Sequence, residues 1–278
     1  MGDNVTTEFK PVRACIFDMD GLLISTEDIY TLCANIVLER YGRPPMPWSI
    51  KAKLMGVPGS SAGDVFHAWA QVPIPREQFD KERTDQQIIH FPNCQPLPGV
   101  EKLLTHLKSA HTKNEDKVHI ALASSSNKSS FALKIQNPAV KKMFGAFDEN
   151  RRVLGDDPRV AKGRGKPAPD IFLRALACIN ESLPEREIPI TPEECLVFED
   201  SVPGVEAGRR ANMRVVWVPH VGLAGEFKGK EKEVLAGRVG LVKIGDDWQL
   251  GEIDDGWATS LPTLEGFPYE KYGIQSQS

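Results

Sequence analysis

Apolar residues fall into four short, largely uninterrupted runs along the chain, at 14–17, 119–123, 195–198 and 214–218. Continuous rather than alternating apolar character is expected for parallel strands that helices cover on both faces. Between the runs, apolar residues recur at the spacing of a helix face; the two clearest sets are Val100, Leu103, Leu104 and Leu107, and Ile171, Phe172, Ala175, Leu176 and Ile179. This alternation predicts an α/β fold with a doubly wound, Rossmann-like parallel sheet.

The stretch from about 26 to 95 departs from this alternation, because no parallel strand is evident before the turn at Leu97-Pro98-Gly99. Its pattern predicts a first helix over 26–41, with Ile29, Leu32, Cys33 and Ile36 facing inward, and further helices around 61–70 and 76–90. We therefore predict a small helical domain at 26–96, inserted into a core domain made of 1–25 and 97–278.

Composition and charge narrow the possible partners. The 278 residues are 41% hydrophobic, enough for a sizeable core, and the net charge of −4 without long basic runs argues against nucleic acid or an anionic membrane surface as the main partner. The five cysteines form no C-x-x-C pair, which indicates reduced thiols. Residues 1–8 lack a signal region, and no stretch approaches the ~20 apolar residues of a membrane span, so we expect a cytoplasmic location, with the nucleus also open. Nothing in the composition predicts the oligomeric state.

Polar side chains follow the predicted strands where each strand ends. Asp18 and Asp20 follow the first run, Ser124 the second, and Glu199-Asp200 the third, while Lys166 precedes a predicted helix. Side chains two residues apart in an extended chain point the same way, so Asp18 and Asp20 should face one point. Because ligands bind at the carboxyl ends of strands in open α/β sheets, these groups should meet in one site.

Each of these features alone has an ordinary explanation. An Asp-x-Asp pair arises by chance, serines cap helices, most lysines are solvated, and acidic residues favour helix N-termini. Their occurrence together, each at a strand exit, favours a site. Acidic oxygen ligands without nearby histidine or cysteine fit a hard cation rather than zinc.

The chain resembles the haloacid dehalogenase superfamily of phosphohydrolases over nearly its whole length. The segment from Asp18 to Thr26 matches the first motif of that family, Ser124 the second, Lys166 in Gly165-Lys166-Pro167 the third, and Glu199-Asp200 the fourth. A helical insertion after the first motif is typical of members with a helical cap domain. Segments 53–56, 153–158 and 195–207 carry the narrower likeness to that group. Segments 111–116 and 180–191 look longer than in its nearest members.

The resemblance implies roles for individual residues. Asp18 would be the nucleophile that forms an aspartyl phosphate, and Asp20 would transfer protons to the leaving group and from water. Ser124, Ser125 and Lys166 would bind the phosphate. Mg²⁺ would be held by Asp18, the backbone carbonyl of Asp20, and Asp200 with Glu199.

The cap should determine which substrate is bound. We predict that 51–61 is a flexible, basic and polar loop that contacts the substrate through Lys51, Lys53, Met55 and Gly56; an ordinary connecting loop is the alternative. The implied activity is a phosphatase of a small phosphorylated metabolite, foremost a nucleoside 5′-monophosphate such as pseudouridine 5′-phosphate. Sugar or polyol phosphates, a phosphomutase of the β-phosphoglucomutase type and a non-catalytic binding protein are the alternatives. A dehalogenase is disfavoured, since that chemistry needs neither Asp20 nor Mg²⁺.

Overall fold

A computed structural model describes residues 9–57 and 59–275 of the chain. Its strands are β1 (Ala14–Phe17), β2 (His119–Ala123), β3 (Arg152–Val153), β4 (Cys195–Glu199), β5 (Arg214–Trp217) and β6 (Ala258–Ser260). They form one six-stranded sheet in the order β3-β2-β1-β4-β5-β6, and every neighbouring pair is parallel. The predicted doubly wound α/β fold is confirmed.

The apolar runs correspond to the four central strands because both faces of the sheet are buried. Along β1, Cys15 and Phe17 pack into one hydrophobic cluster, and Ala14 and Ile16 pack into another on the opposite face. Both positions of the strand period are therefore apolar. The two edge strands were not predicted, since β3 has two residues and β6 is the half-exposed tripeptide Ala-Thr-Ser.

The helices that accompany the sheet are α5 (Val100–Ser109), α6 (Lys128–Lys134), α7 (Pro138–Phe144), α8 (Asp170–Glu181), α9 (Val202–Arg210), α10 (Val221–Glu226) and α11 (Glu231–Leu235). The apolar stripes of α5 and α8 belong to the two clusters on opposite faces of the sheet. Within the two described ranges, no helix is both long and apolar enough to cross a membrane. The five cysteines are buried and unpaired.

Four helices lie between β1 and α5 and are called the inserted helices: α1 (Glu27–Arg40), α2 (Trp48–Lys51), α3 (Gly59–Ala70) and α4 (Arg76–His90). They enclose a hydrophobic cluster of their own, built on Val37, Leu38, Phe66, Ala70 and Phe79. Two backbone connections close this insertion at its base: Ile24 bridges Pro96, and the Ser25 amide donates to the Gln95 carbonyl at 2.9 Å.

The inward face of α1 differs from the prediction. Leu32, expected to face inward, is 44% exposed. The buried residues of this helix are Cys33, Ala34, Val37 and Leu38, which turns the buried face by about one residue. The apolar spacing of α1 fits either face, and the packing of α1 on α4 selects the observed one.

Candidate active site

Three of the predicted groups meet at the carboxyl edge of the sheet. The ammonium of Lys166 donates to Asp18 Oδ1 at 2.5 Å, to Glu199 Oε1 at 2.5 Å, and to the Ala123 carbonyl at 3.1 Å. Lys166 is thereby held by groups at the ends of β1, β4 and β2. All three charged side chains are almost fully buried. The structure therefore brings Lys166 into contact with Asp18, which lies 148 positions away in the sequence, and with Glu199, which lies 33 positions away.

Burial and charge act in opposite directions on this cluster. Burial raises the pKa of Asp18 to about 7, and Lys166 lowers it only in part, since Glu199 and Asp20 add further negative charge. Burial by itself would lower the pKa of Lys166, but Asp18 and Glu199 raise it above its usual value. The ammonium therefore stays charged beside Asp18.

Asp20 is held by a second, separate group of side chains. Asp20 Oδ1 accepts a hydrogen bond from Lys134 Nζ at 2.6 Å, and Asp20 Oδ2 accepts one from Ser126 Oγ at 2.7 Å. Lys134 Nζ also donates to the Tyr30 hydroxyl at 2.8 Å and to Ser126 Oγ at 2.7 Å. Asp20 itself is partly buried, with 17% of its side chain exposed.

The serines after β2 occupy different positions. Ser124 is fully buried, and its hydroxyl accepts a hydrogen bond from the Ser126 amide at 3.1 Å. Ser125 is exposed at the edge of the sheet. Asn127 then caps α6 by accepting from the Ser130 amide at 2.9 Å. Ser124 and Ser125 thus lie between the strand end and a capped helix start, a place where backbone amides can bind an anion.

Asp200 fits a bound cation. Its Oδ2 is buried and has no hydrogen-bond partner. Burial, together with the nearby Glu199, Glu27 and Asp18, raises the pKa of Asp200 well above its usual range. A buried, unpartnered carboxylate oxygen is costly, and a hard cation would satisfy it.

Glycine at position 21 permits this crowding. Gly21 has φ +75°, and a Cβ at this position would overlap Asp200 Oδ2 and lie 2.8 Å from Glu27 Cγ. The side chains of Glu27 and Asp200 therefore both lie against Gly21. Across residues 9–57 and 59–275, no three Asp, Glu, His or Cys side chains converge as a ready-made metal cluster. The ligand set implied by the resemblance differs from such a cluster, because one of its ligands is a backbone carbonyl.

Glu199 is engaged by its own neighbours. Glu199 Oε2 accepts from the amide and the hydroxyl of Ser201, both at 3.0 Å, while Oε1 accepts from Lys166. Gly204 lies directly against this carboxyl group, which a Cβ at position 204 would overlap. Glu199 thus holds Lys166 in place, and Asp200 is the neighbouring acid with a free oxygen.

The four residues predicted to contact the substrate, Lys51, Lys53, Met55 and Gly56, have different surroundings. Lys51 is not in a flexible loop: it ends α2, is 4% exposed, and donates to the Glu27 carbonyl at 2.5 Å and to Thr31 Oγ1 at 2.7 Å. This corrects its predicted placement, and the reason is the acidic start of α1, which takes up the ammonium. Pro58 of that loop lies outside the described residues.

The other three candidates follow Lys51 in a series of turns. Lys53 is exposed, whereas Met55 is buried in the cluster that covers one face of the sheet. A Cβ on Gly56 would lie 2.5 Å from Ser201 Oγ, so this turn contacts the segment that follows Asp200. The inserted segment thus reaches the edge of the sheet where the acids meet.

Lys134, Ser126, Tyr30 and Glu27 are parts of the site that were not predicted. Each sits on a helix or loop where a charged or polar side chain is ordinarily solvated. The sequence carried no signal for Lys134: only the structure shows that it is buried beside Phe131 on the short helix α6. A lysine in such a position needs an acidic partner.

Comparison with known proteins agrees with this geometry. A family model described as haloacid dehalogenase-like hydrolase matches residues 12–212. The "Probable pseudouridine-5′-phosphatase" of Saccharomyces cerevisiae is 40% identical over 95% of this chain and 98% of its own. The mitochondrial (DL)-glycerol-3-phosphatase 1 of Arabidopsis thaliana is 34% identical over 86% of this chain and 74% of its own.

A solved structure of β-phosphoglucomutase from Clostridium difficile superposes with a TM-score of 0.56, covering 80% of this chain and 88% of the other. At 21% identity this likeness shows the fold alone. The prediction of an enzyme of the family named above is confirmed by the family model and by the relatives together. The chain belongs to the haloacid dehalogenase-like hydrolase family.

Proposed function

We propose that this hydrolase is a Mg²⁺-dependent phosphatase of a nucleoside 5′-monophosphate such as pseudouridine 5′-phosphate. The observation that carries the reaction type is the contact of Lys166 with Asp18 and Glu199 beside an unpartnered oxygen of Asp200. An acid, a fixed ammonium and a free carboxylate oxygen at one strand edge suit transfer of a phosphoryl group. The nucleotide as substrate is supported by the printed name of the yeast relative.

The reaction proceeds in two transfers. A carboxylate oxygen of Asp18 attacks phosphorus, and the bond from phosphorus to the leaving oxygen breaks as Asp20 gives that oxygen a proton. Asp20 then takes a proton from water, whose oxygen attacks phosphorus and releases Asp18 and inorganic phosphate. Lys166 attracts the phosphoryl oxygens, and Ser124 and Ser125 offer hydrogen bonds to them.

Mg²⁺ would be held by Asp18, the backbone carbonyl of Asp20 and Asp200, with Glu199 supporting the set. When bound, it offsets the repulsion between the substrate phosphate and the acids around Asp18. Asp18 and Glu199 share the ammonium of Lys166, and Asp20 contacts that of Lys134. These four acids thus face two ammonium groups, and Asp200 Oδ2 has no partner. This excess of negative charge is the reason a cation fits the site.

The inserted helices serve as the proposed cap over this site, within the boundaries 26–96. Lys53, Met55 and Gly56 stay candidates for contact with the leaving group, because their turn reaches Ser201 beside Asp200. Lys51 acts on this turn indirectly by fixing the end of α2 to α1. Closing such a segment over the phosphate would exclude water during the first transfer.

A polyol or sugar phosphate is the second candidate substrate, favoured by the printed name of the Arabidopsis relative. Release of inorganic phosphate with Mg²⁺ should be compared for pseudouridine 5′-phosphate, uridine 5′-phosphate, glycerol 3-phosphate and 2-deoxyglucose 6-phosphate. We expect the highest kcat/KM for a nucleoside 5′-phosphate, loss of activity in EDTA and recovery in excess Mg²⁺. Preference for glycerol 3-phosphate would select the second candidate. If no ester releases inorganic phosphate, the proposed phosphatase activity is wrong. Isomerisation of β-glucose 1-phosphate without phosphate release would indicate a mutase.

The nucleophile can be tested separately. Asp18→Asn removes the attacking carboxylate oxygen and should lower kcat by about 10³-fold or more while the protein stays folded. Asp148→Asn, a change at an aspartate with 73% side-chain exposure, is the control and should keep full activity. Turnover by Asp18→Asn within about tenfold of the parent chain would contradict the assignment.

A further inference from the structure

Lys134 is a buried cation that the reaction described above does not use. It is 0% exposed, although it is the last residue of the seven-residue helix α6. Its ammonium lies over two aromatic rings, with Nζ 4.7 Å from the centre of the Phe91 ring and 4.9 Å from that of Tyr30. Burying an ammonium is unfavourable unless it is paired and fully hydrogen-bonded, so the partners of Lys134 need to be identified.

Its three protons are all accounted for. They are donated to Asp20 Oδ1, the Tyr30 hydroxyl and Ser126 Oγ at 2.6–2.8 Å. Ser126 Oγ in turn donates to the other oxygen of Asp20 at 2.7 Å. Both oxygens of the Asp20 carboxylate therefore accept hydrogen bonds from one network. Rotation about the χ2 angle of Asp20 would break the bonds from Lys134 and from Ser126.

The network also reaches the inserted helices. Tyr30 lies in the first turn of α1, and Phe91 follows directly after α4, so the two ends of the insertion meet on Lys134. The rings of Tyr30 and Phe91 contact each other edge to face, with centroids 5.0 Å apart. A displacement of α1 relative to the sheet would therefore change the hydrogen bonds available to Lys134 and, through it, the position of Asp20.

We propose that Lys134 is a positioning residue for Asp20, which it holds in the orientation needed for proton transfer, and that Tyr30 ties this orientation to the placement of α1. This inference rests on the proposed function, in which Asp20 protonates the leaving oxygen. It does not require Lys134 to touch the substrate.

Leaving groups distinguish positioning from a general structural role. 4-Nitrophenolate departs without a proton, whereas the benzyl alkoxide needs one, so misplacement of Asp20 slows benzyl phosphate far more than 4-nitrophenyl phosphate. Lys134→Met keeps the length and apolar packing of the side chain. We expect it to lower kcat/KM by about 10²-fold for benzyl phosphate and by less than about fivefold for 4-nitrophenyl phosphate.

Controls separate this effect from damage to the fold. Lys128→Met alters an exposed lysine on the same helix and should leave both rates unchanged. Tyr30→Phe removes one hydroxyl and should produce a smaller loss that is again confined to benzyl phosphate, which keeps the test valid even if Lys134→Met does not fold. An equal loss on both esters, for Lys134→Met or for Tyr30→Phe, would overturn the proposal.

A double-mutant comparison distinguishes the inference from the function on which it rests. In an Asp20→Asn background, Lys134→Met should cause no further loss on benzyl phosphate, because the group that it positions has gone. Losses that multiply would mean that Lys134 acts independently of Asp20 and would overturn the inference alone. Full activity of Asp20→Asn itself on benzyl phosphate would instead overturn the proposed role of Asp20.

Discussion

Single residues at the active edge are constrained by contact as much as by charge. Glu199 is fixed by Lys166 on one oxygen and by Ser201 on the other, and Gly204 leaves no space behind it. The structure thus explains a glycine in the first turn of α9, where alanine would ordinarily favour the helix. The position of Lys166 depends on this packing, because Glu199 is one of its three acceptors.

Gly204→Ala should therefore impair catalysis without unfolding the protein. The new methyl group would overlap the Glu199 carboxyl group and displace it from Lys166, and we expect kcat/KM to fall by about 10- to 100-fold. Steady-state kinetics with 4-nitrophenyl phosphate, together with a thermal melt, measure this effect. Gly225→Ala in α10, where the added methyl would meet no described atom of another element within 4 Å, is the matched control and should remain fully active. Equal activity of the two variants would contradict the packing argument.

At the scale of elements, the central strands were predictable because their apolar runs report burial on both faces. The edge strands β3 and β6 were not predictable, since an edge strand is half-exposed and each of these is too short to show a period.

A buried histidine at the start of β2 forms polar contacts on both sides of its ring. His119 Nδ1 accepts from Arg151 at 3.1 Å, and its Nε2 lies 2.7 Å from Glu187, which is compatible with a neutral ring that carries its proton on Nε2.

Stability should depend on pH through this histidine. Burial lowers the pKa of His119, and the hydrogen bond from its ring to Glu187 offsets this only in part. Because the folded value lies below the unfolded value of about 6.5, the contribution of His119 is complete above pH 6.5 and is lost as the pH falls through that value towards the folded pKa.

We therefore expect the urea midpoint of the parent chain to drop more between pH 7 and 5 than that of His119→Gln. Urea unfolding of both proteins at several pH values measures the difference. His111→Gln, at an exposed histidine, should keep the pH dependence of the parent. A parental drop in His119→Gln would show that His119 does not cause this pH dependence.

At the scale of the whole molecule, the inserted helices contact the core through a stacked pair of rings. The Trp48 ring lies on the His220 ring with centroids 4.6 Å apart and an angle of 17° between their planes. Gly222 gives the indole its space, because a Cβ there would overlap the Trp48 ring. The ammonium of Lys51 also lies over the Trp48 ring, 4.7 Å from the ring centre.

Trp48→Ala should loosen the inserted helices over the site. We expect kcat/KM for a nucleoside 5′-monophosphate to fall by about tenfold, while that for 4-nitrophenyl phosphate changes less, because contact with the leaving group depends on closure. Cleavage near the base of the insertion in limited proteolysis should become faster. Trp248→Ala, at a tryptophan that is 82% exposed, is the control for both measurements. Unaltered proteolysis and kinetics in Trp48→Ala would show that the stacked rings do not hold the insertion.

Local sequence patterns were enough to predict the four central strands of the sheet, the helices between β1 and α5, and the acids that follow the strands. These features depend on local patterns: apolar runs for buried strands, and polar residues where a run ends. Asp18, Ser124, Lys166, Glu199 and Asp200 could therefore be named as one site before any contact was known.

The side chains that hold these groups follow from contacts between separate elements, which no local pattern reports. The contact of Lys134 with Asp20 spans 114 residues, and that of Lys51 with the Glu27 carbonyl spans 24. A lysine on a helix looks the same in sequence whether it is solvated or buried, because its partner lies on another element. The same reason applies to Leu32, whose spacing fits two faces of α1 until the packing of α4 selects one.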